Sequence, residues 1–138
     1  MDKKFDILDH TADTGIIAYG ENLKEAFENA ALGMFSLVTD LISIENDQTI
    51  KIDIKSSDFE SLLVSWLNEL IYLFDVDNII FDKFDITRLD KNSLSATVYG
   101  EKVDLSRHEI RTGIKAATYH MLKIDENDPC RVQVLFDI

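Results

Sequence analysis

Hydrophobic positions along the chain switch between a period of two and a helical period, and the switches lay out the elements. Residues 5–10 and 15–19 predict two short strands, with the polar residues 11–14 as a tight connection. Ala26, Phe27, Ala30, Ala31, Met34, Phe35 and Val38 recur at helical spacing behind Asn22, whose side chain can cap the helix, with Glu25 three residues on. Ile50, Ile52 and Ile54 alternate with Lys51, Asp53 and Lys55, as in a strand with one wet face. Residues 57–60 offer a second cap ahead of Leu62, Leu63, Trp66, Leu67, Leu70, Ile71 and Phe74, a nearly unbroken apolar stripe that predicts a second helix. Residues 79–88, 93–101, 114–124 and 131–138 read as further strands, the last alternating Val132, Val134 and Phe136. The order β-β-α-β-α-β-β-β-β predicts an α+β fold, a two-layer α/β sandwich of two helices packed on a mostly antiparallel sheet. Connections fall at residues 39–48, 90–92, 104–112 and 125–129, none of them long enough to be a linker.

Composition narrows the picture further. At 138 residues with 46% apolar positions, a single domain over residues 1–138 with one core is expected. Twenty-six acidic against fourteen basic residues give a net charge of −12. That balance repels a phosphate backbone and favours a basic protein or a cation as partner. The single Cys130 allows no disulfide within the chain, and the opening residues lack the apolar run of a signal peptide, so a reducing, cytoplasmic setting is expected. The most apolar segment, residues 62–74, is interrupted by Ser65, Asn68 and Glu69 and reads as a core helix with no membrane role.

Candidate chemistry is sparse. The chain has no Gly-x-Ser-x-Gly elbow, no phosphate-binding glycine loop, no paired cysteines and no His-Glu-x-x-His helix. His10 and Asp13 share the first connection and can face one site, although turn residues of these types as readily bond local backbone amides. His120 falls on the face of Ile114, Ala116, Thr118 and Leu122, where a half-buried, hydrogen-bonded histidine is the default; Lys115 lies on the opposite face and is more often a carboxylate's partner than a nucleophile. Residues 104–112, with Arg107, His108 and Arg111, form the one locally basic loop, read as a solvated connection or, alternatively, as a partner or RNA contact. Asp75, Asp77 and Asn78 resemble the start of a calcium loop but lack its glycine and distal glutamate, and so read as a helix exit. Gly100 and Gly113 read as isolated turn glycines.

One arrangement remains. Along the last strand Phe136 and Ile138 are expected to face the core and Asp137 the other side, next to the α-carboxylate of Ile138. Two adjacent anions need neutralising, by a cation or by Lys115. If the fold brings the first connection to this end, Asp13, Asp137 and the Ile138 carboxylate make an all-oxygen set suited to Ca²⁺ or Mg²⁺, with His10 keeping a transition metal open. A metal-dependent hydrolase using His10, Asp13 and His120, or a chaperone-like binding module, are the alternatives.

Five blocks in order carry a resemblance: residues 10–16, residues 18–27 running on to Gly33-Met34-Phe35, residues 62–70, residues 114–120, and the final Phe136-Asp137-Ile138. Together they resemble the archease family from end to end. The resemblance implies a small α+β protein, not itself an enzyme, that assists an RtcB-type tRNA-splicing RNA ligase. It implies promotion of guanylylation of the ligase's active-site histidine, multiple turnover and a broader nucleotide preference, with RNA contacted only through the ligase. It further implies a divalent-cation site at Asp13, Asp137 and Ile138, with Ca²⁺ foremost and Mg²⁺ or Mn²⁺ admissible. Gly113 departs from the family pattern, which leads one to expect an acidic or larger residue there.

Overall fold

The computed structural model describes residues 3–9, 14–42, 44–127 and 129–138. Strands β1 (Phe5–Asp9) and β2 (Thr14–Gly20) lead into α1 (Leu23–Val38), and β3 (Gln48–Lys55) into α2 (Phe59–Asp77). Strands β4 (Ile79–Asp90), β5 (Ser93–Lys102), β6 (Ala116–Asp125) and β7 (Cys130–Asp137) complete the chain. Both predicted caps form. The Asn22 side chain accepts the Glu25 amide at 2.8 Å, while the Glu25 carboxylate reaches back to the amide of Glu21 at 2.9 Å. At α2 the cap is Asp58, which accepts from the Ser61 amide at 2.8 Å. That bond, and then the one from the Ser61 hydroxyl, hold the Asp58 carboxyl below its ordinary range. The helix exit is equally plain: Asn78 takes the left-handed conformation (φ 56°) in which asparagine serves as a helix stop.

The fold is α+β, and its strands divide into two antiparallel sheets where sequence reasoning drew one. The four-stranded sheet has the order β1-β2-β7-β6 and the three-stranded sheet the order β3-β5-β4. Neither sheet covers the other; the helix pair serves both. Helix α1 packs on β1, β2 and β7 and also on β4, while α2 packs on β6 and on all three strands of the smaller sheet. A helix used this way must be apolar on more than one side. Ala26, Ala30, Ala31 and Gly33 of α1 are buried along with Phe27, Met34 and Phe35, small residues allowing close approach and large ones filling the gaps. The rings of Phe74, Phe81 and Phe84 gather around Phe35, and Trp66 meets Phe84 edge-on with 6.2 Å between centroids. Trp66 is fully buried, and its indole donates to the carbonyl of Phe27 at 3.0 Å, so the one polar atom of its ring is satisfied.

Two irregularities interrupt the pairing of β4 with β5, one between Phe81 and Lys83 and one between Ile86 and Arg88. Gly100 sits opposite the first of these, inside β5 and not in a turn as expected. A Cβ at position 100 would overlap the carbonyl group of Ile80, so the strands can approach there only if the position has no side chain. Gly113 faces open space, which explains why this chain tolerates glycine where a larger residue was expected.

Gly100→Ala should therefore lower stability by roughly 2 kcal/mol or more, because strand backbone has to move. Gly113→Ala should change it by no more than about 0.5 kcal/mol in either direction. Urea unfolding of the two variants checks the contrast; equal midpoints would remove the close-approach argument.

Candidate functional site

The pairing of β2 with β7 brings the first third of the chain to its end. Thr14 is opposite Phe136, and the register continues without a break to Gly20 opposite Cys130. Ile16, Ala18, Val132, Val134 and Phe136 are buried in this seam, giving it the alternation that specifies register. On its other side β7 pairs with β6, Ala116 opposite Asp137. The amide of Lys115 donates to the Asp137 carbonyl at 2.7 Å. Asn68, one of the polar residues that interrupt the apolar face of α2, accepts the amide of Ala117 at 2.8 Å. This bond ties the start of β6, and through it the end of β7, to the helix layer.

At that end the carboxylate of Asp137 is exposed, on the solvent side as expected. Ile138 is not in the core: β7 stops at Asp137 and Ile138 is 56% exposed. Its side chain leaves the sheet because no ladder partner holds the last residue in the pleat. The other two candidates, His10 and Asp13, lie outside the described residues. Thr14, the residue after Asp13, pairs with Phe136, the residue before Asp137. Among the described residues no group of three or more histidines, cysteines, aspartates and glutamates gathers closely enough to hold a metal ion.

Lys115 is exposed, as the pattern suggested, but His120 is exposed as well and not half-buried. The cause is local. Pairing of β6 with β7 breaks between Thr118 and Lys123, and Met121 adopts φ 55°, a conformation costing a non-glycine residue about 1 kcal/mol or more. The period of two is lost, so His120 no longer shares a face with Ile114. Tyr119 and Met121 are exposed at 60% and 56% on the same bulge, and the side-chain amide of Gln133 donates to the Met121 carbonyl at 2.9 Å.

Of the three basic residues in this loop, His108 turns inward, while Arg107 and Arg111 stay exposed. His108 is 4% exposed, and its Nδ1 accepts the Asp104 amide at 2.8 Å. That leaves the proton on Nε2, which lies 3.2 Å from Oε1 of Glu101, a carboxylate 5% exposed. The Arg107 guanidinium donates to the same oxygen, and the other oxygen of Glu101 accepts the amide of Glu45. Thr39 Oγ1 donates to the Glu109 carbonyl at 2.6 Å and the Arg111 amide to the Val38 carbonyl at 2.7 Å. The loop after α1 and the loop after β5 are thus laced into one unit. Sequence reading missed Glu101 as an anchor; an acidic residue ending an apolar strand, followed within the next loop by arginine and histidine, was the available signal.

These elements define a class: a small α+β protein in which two antiparallel sheets share one pair of helices, with carboxylate-bearing residues at a strand end beside the β2–β7 seam. Residues 5–138 match the model of the Archease protein family (MTH1598/TM1083), and the chain belongs to the archease family. It is 45% identical to protein archease of Methanosarcina barkeri, over 99% of this chain and 97% of that one. It is 44% identical to protein archease of Sulfolobus acidocaldarius, over 91% of each. Among solved structures, protein 1598 of Methanobacterium thermoautotrophicum superposes with a TM-score of 0.79 at 38% identity, covering 98% of this chain and 99% of that one. An archease of Thermotoga maritima, described as a possible chaperone, has a TM-score of 0.65 at 23% identity over 95% and 94% of the two chains, a likeness of fold.

The laced loops carry the prediction. His108→Leu keeps the volume but removes the acceptor for the Asp104 amide and the donor to Glu101. Stability should fall by roughly 1–2 kcal/mol, because the Asp104 amide loses its acceptor and Glu101 keeps Arg107 and the Glu45 amide but loses one donor. A urea midpoint unchanged from the parent would show that the imidazole bonds contribute nothing net.

Proposed function

We propose that this protein activates an RtcB-type RNA ligase, promoting guanylylation of the ligase's active-site histidine, multiple turnover and broader nucleotide use. Family membership over nearly the whole chain supports the reading, and the observation that carries it to particular residues is the β2–β7 register. Thr14 is opposite Phe136, so the strand that follows Asp13 runs next to the strand that ends at Asp137, one residue before Ile138.

The proposed divalent-cation site consists of Asp13, Asp137 and the Ile138 carboxylate. The described part of it fits such an ion in kind: exposed oxygen donors, uncommitted to the core, at a strand end fixed by the Lys115 and Asn68 bonds. A hard cation held there, Ca²⁺ foremost and Mg²⁺ or Mn²⁺ as alternatives, would neutralise the neighbouring carboxylates and add a positive centre to an otherwise acidic surface. What the chain itself supplies is rigidity and charge. The net charge of −12 speeds encounter with a basic RNA-binding surface and makes the association salt-sensitive. RNA contact in this reading runs through the ligase, because the protein's own field repels a phosphate backbone.

Single-turnover guanylylation of a purified RtcB-type ligase with labelled GTP, in defined divalent cations, tests the proposal. The parent protein should stimulate; Asp13→Ala and Asp137→Ala should abolish stimulation while keeping their fold by circular dichroism. Full stimulation by either variant would sink the cation site, and none by the folded parent would sink the activator reading itself.

A further inference from the structure

The edge strands of an open sheet carry backbone amides and carbonyls that can pair with another chain. With the orders β1-β2-β7-β6 and β3-β5-β4, the edges of this protein are β1, β6, β3 and β4. Three of them are guarded. The Asn68 side chain of α2 takes the Ala117 amide of β6, and the Glu28 carboxylate of α1 takes the Ile86 amide of β4, each at 2.8 Å. Both strands are also irregular, β6 between Thr118 and Lys123 and β4 at two places. β1 is guarded by its length of five residues.

Strand β3 has none of these guards. It pairs with β5 without a register shift, from Gln48 opposite Gly100 to Lys55 opposite Ser93. Among the described residues, none of the amides of residues 49–55 is taken by a helix side chain or a loop carbonyl. On its apolar face Ile52 is 4% exposed, but Ile50 and Ile54 are packed on the core and yet partly open. A further strand along this edge would cover them.

We propose that β3 is a docking edge for a second copy of this chain. The two β3 strands pair antiparallel about a two-fold axis at Ile52 and join two three-stranded sheets into one of six. The side chains select both occupant and register. Lys51, Asp53 and Lys55 are exposed on one face of β3, and the three isoleucines share the other. Residues directly opposite in an antiparallel pair lie on the same face, so odd-numbered positions must meet odd-numbered ones. With the axis at Ile52, residues 49–55 of the two copies pair. Lys51 of each then stands opposite Asp53 of the other, and Ile50 opposite Ile54. An axis at Lys51 would oppose that residue to its own copy. An axis at Asp53 would do the same to Asp53 and would set Lys51 against Lys55; like charges directly opposite repel. An axis at Ile54 would match Asp53 with Lys55 but leave only residues 53–55 paired.

A basic partner would be met best by an edge of one sign. The alternating signs of β3 fit a copy of itself. The chain's charge of −12 opposes self-association at a distance, but two lysines and one aspartate bring no net negative charge to the seam. At physiological ionic strength the Debye length of about 8 Å confines the remaining repulsion to groups near the contact. One pair of strands buries less than a standard interface, so the dimer is weak and depends on concentration. The inference does not rest on the proposed activator role.

Sedimentation velocity of the full chain from micromolar to millimolar concentration, at physiological ionic strength, tests the pairing. The parent should show a reversible monomer–dimer equilibrium, with hydrogen exchange of the amides of residues 49–55 slowing as the dimer fills. Asp53→Lys should raise the dissociation constant about tenfold or more, because it sets lysines opposite each other twice. Combining it with Lys51→Asp should restore the parent's affinity, since the exchange of signs recreates both pairs about Ile52 and about no other axis. A parent monomeric at every concentration, a dimer that Asp53→Lys leaves intact, or one that the double exchange fails to restore would overturn the proposal. A monomeric chain whose β3 amides become protected only when an RtcB-type ligase is added would give the edge to a partner's strand and overturn the self-pairing.

Discussion

The antiparallel pairing of β2 with β7 is the contact on which the rest of the structure depends. It joins residues 14–20 to residues 130–136, and closing so long a stretch of chain is entropically unfavourable until the seam is dry. The seam becomes dry through alternation: Ile16 and Ala18 on one strand and Val132, Val134 and Phe136 on the other face the helix layer. Gly15 lets the strands close on the opposite face, where a Cβ would meet the Val134 carbonyl and the side chain of Leu135. Once formed, the pair offers one edge to β1 and the other to β6, completing the four-stranded sheet.

That sheet still needs a cover, and so does the three-stranded one. A second sheet would have made a sandwich; this chain instead buries both against the same two helices. The solution was partly legible in the sequence. The stripe of α1 includes adjacent pairs, Ala26 with Phe27, Ala30 with Ala31 and Met34 with Phe35, and adjacent residues on a helix point about 100° apart. Such pairs make a stripe wider than one sheet requires. Helical spacing behind Asn22 predicted the helix; the width of the stripe carries the further consequence that two surfaces must be covered.

What the sequence left hidden has a common physical origin. Arguments from a period of two assume an unbroken ladder, and this protein breaks the ladder in β4 and again in β6. Each extra residue shifts everything beyond it to the other face, which is why His120 was assigned to the wrong environment. Ala117 is buried where Ala116 was expected for another reason: β6 begins only at Ala116, so a face counted from Ile114 does not carry into the strand. Gly100 looked like a turn residue because its requirement comes from a neighbouring strand, not from its own backbone. His108 looked solvated because its partners, Glu101 and the Asp104 amide, become neighbours only when the loop folds back on β5. The expected carboxylate end was read better: Asp137 is at the solvent side of β7, and only the side chain of Ile138 departs from its predicted direction.

The two acidic features of this surface stand at opposite ends of one rigid strand. Thr14 marks one end, beside Phe136 and the carboxylate of Asp137; Tyr19 marks the other, at a cleft lined by Glu28 and Asp82. Their separation of about 20 Å exceeds the Debye length of roughly 8 Å at physiological ionic strength, so the two are screened from each other in solution. Substitutions at the two ends share no side-chain partner, and the energetic effects of such distant pairs add. A partner whose binding showed strong non-additivity between the ends would therefore have to couple them through its own structure. The extended, fully paired β2–β7 seam, without a bulge along its register, gives this chain no hinge by which to do so itself.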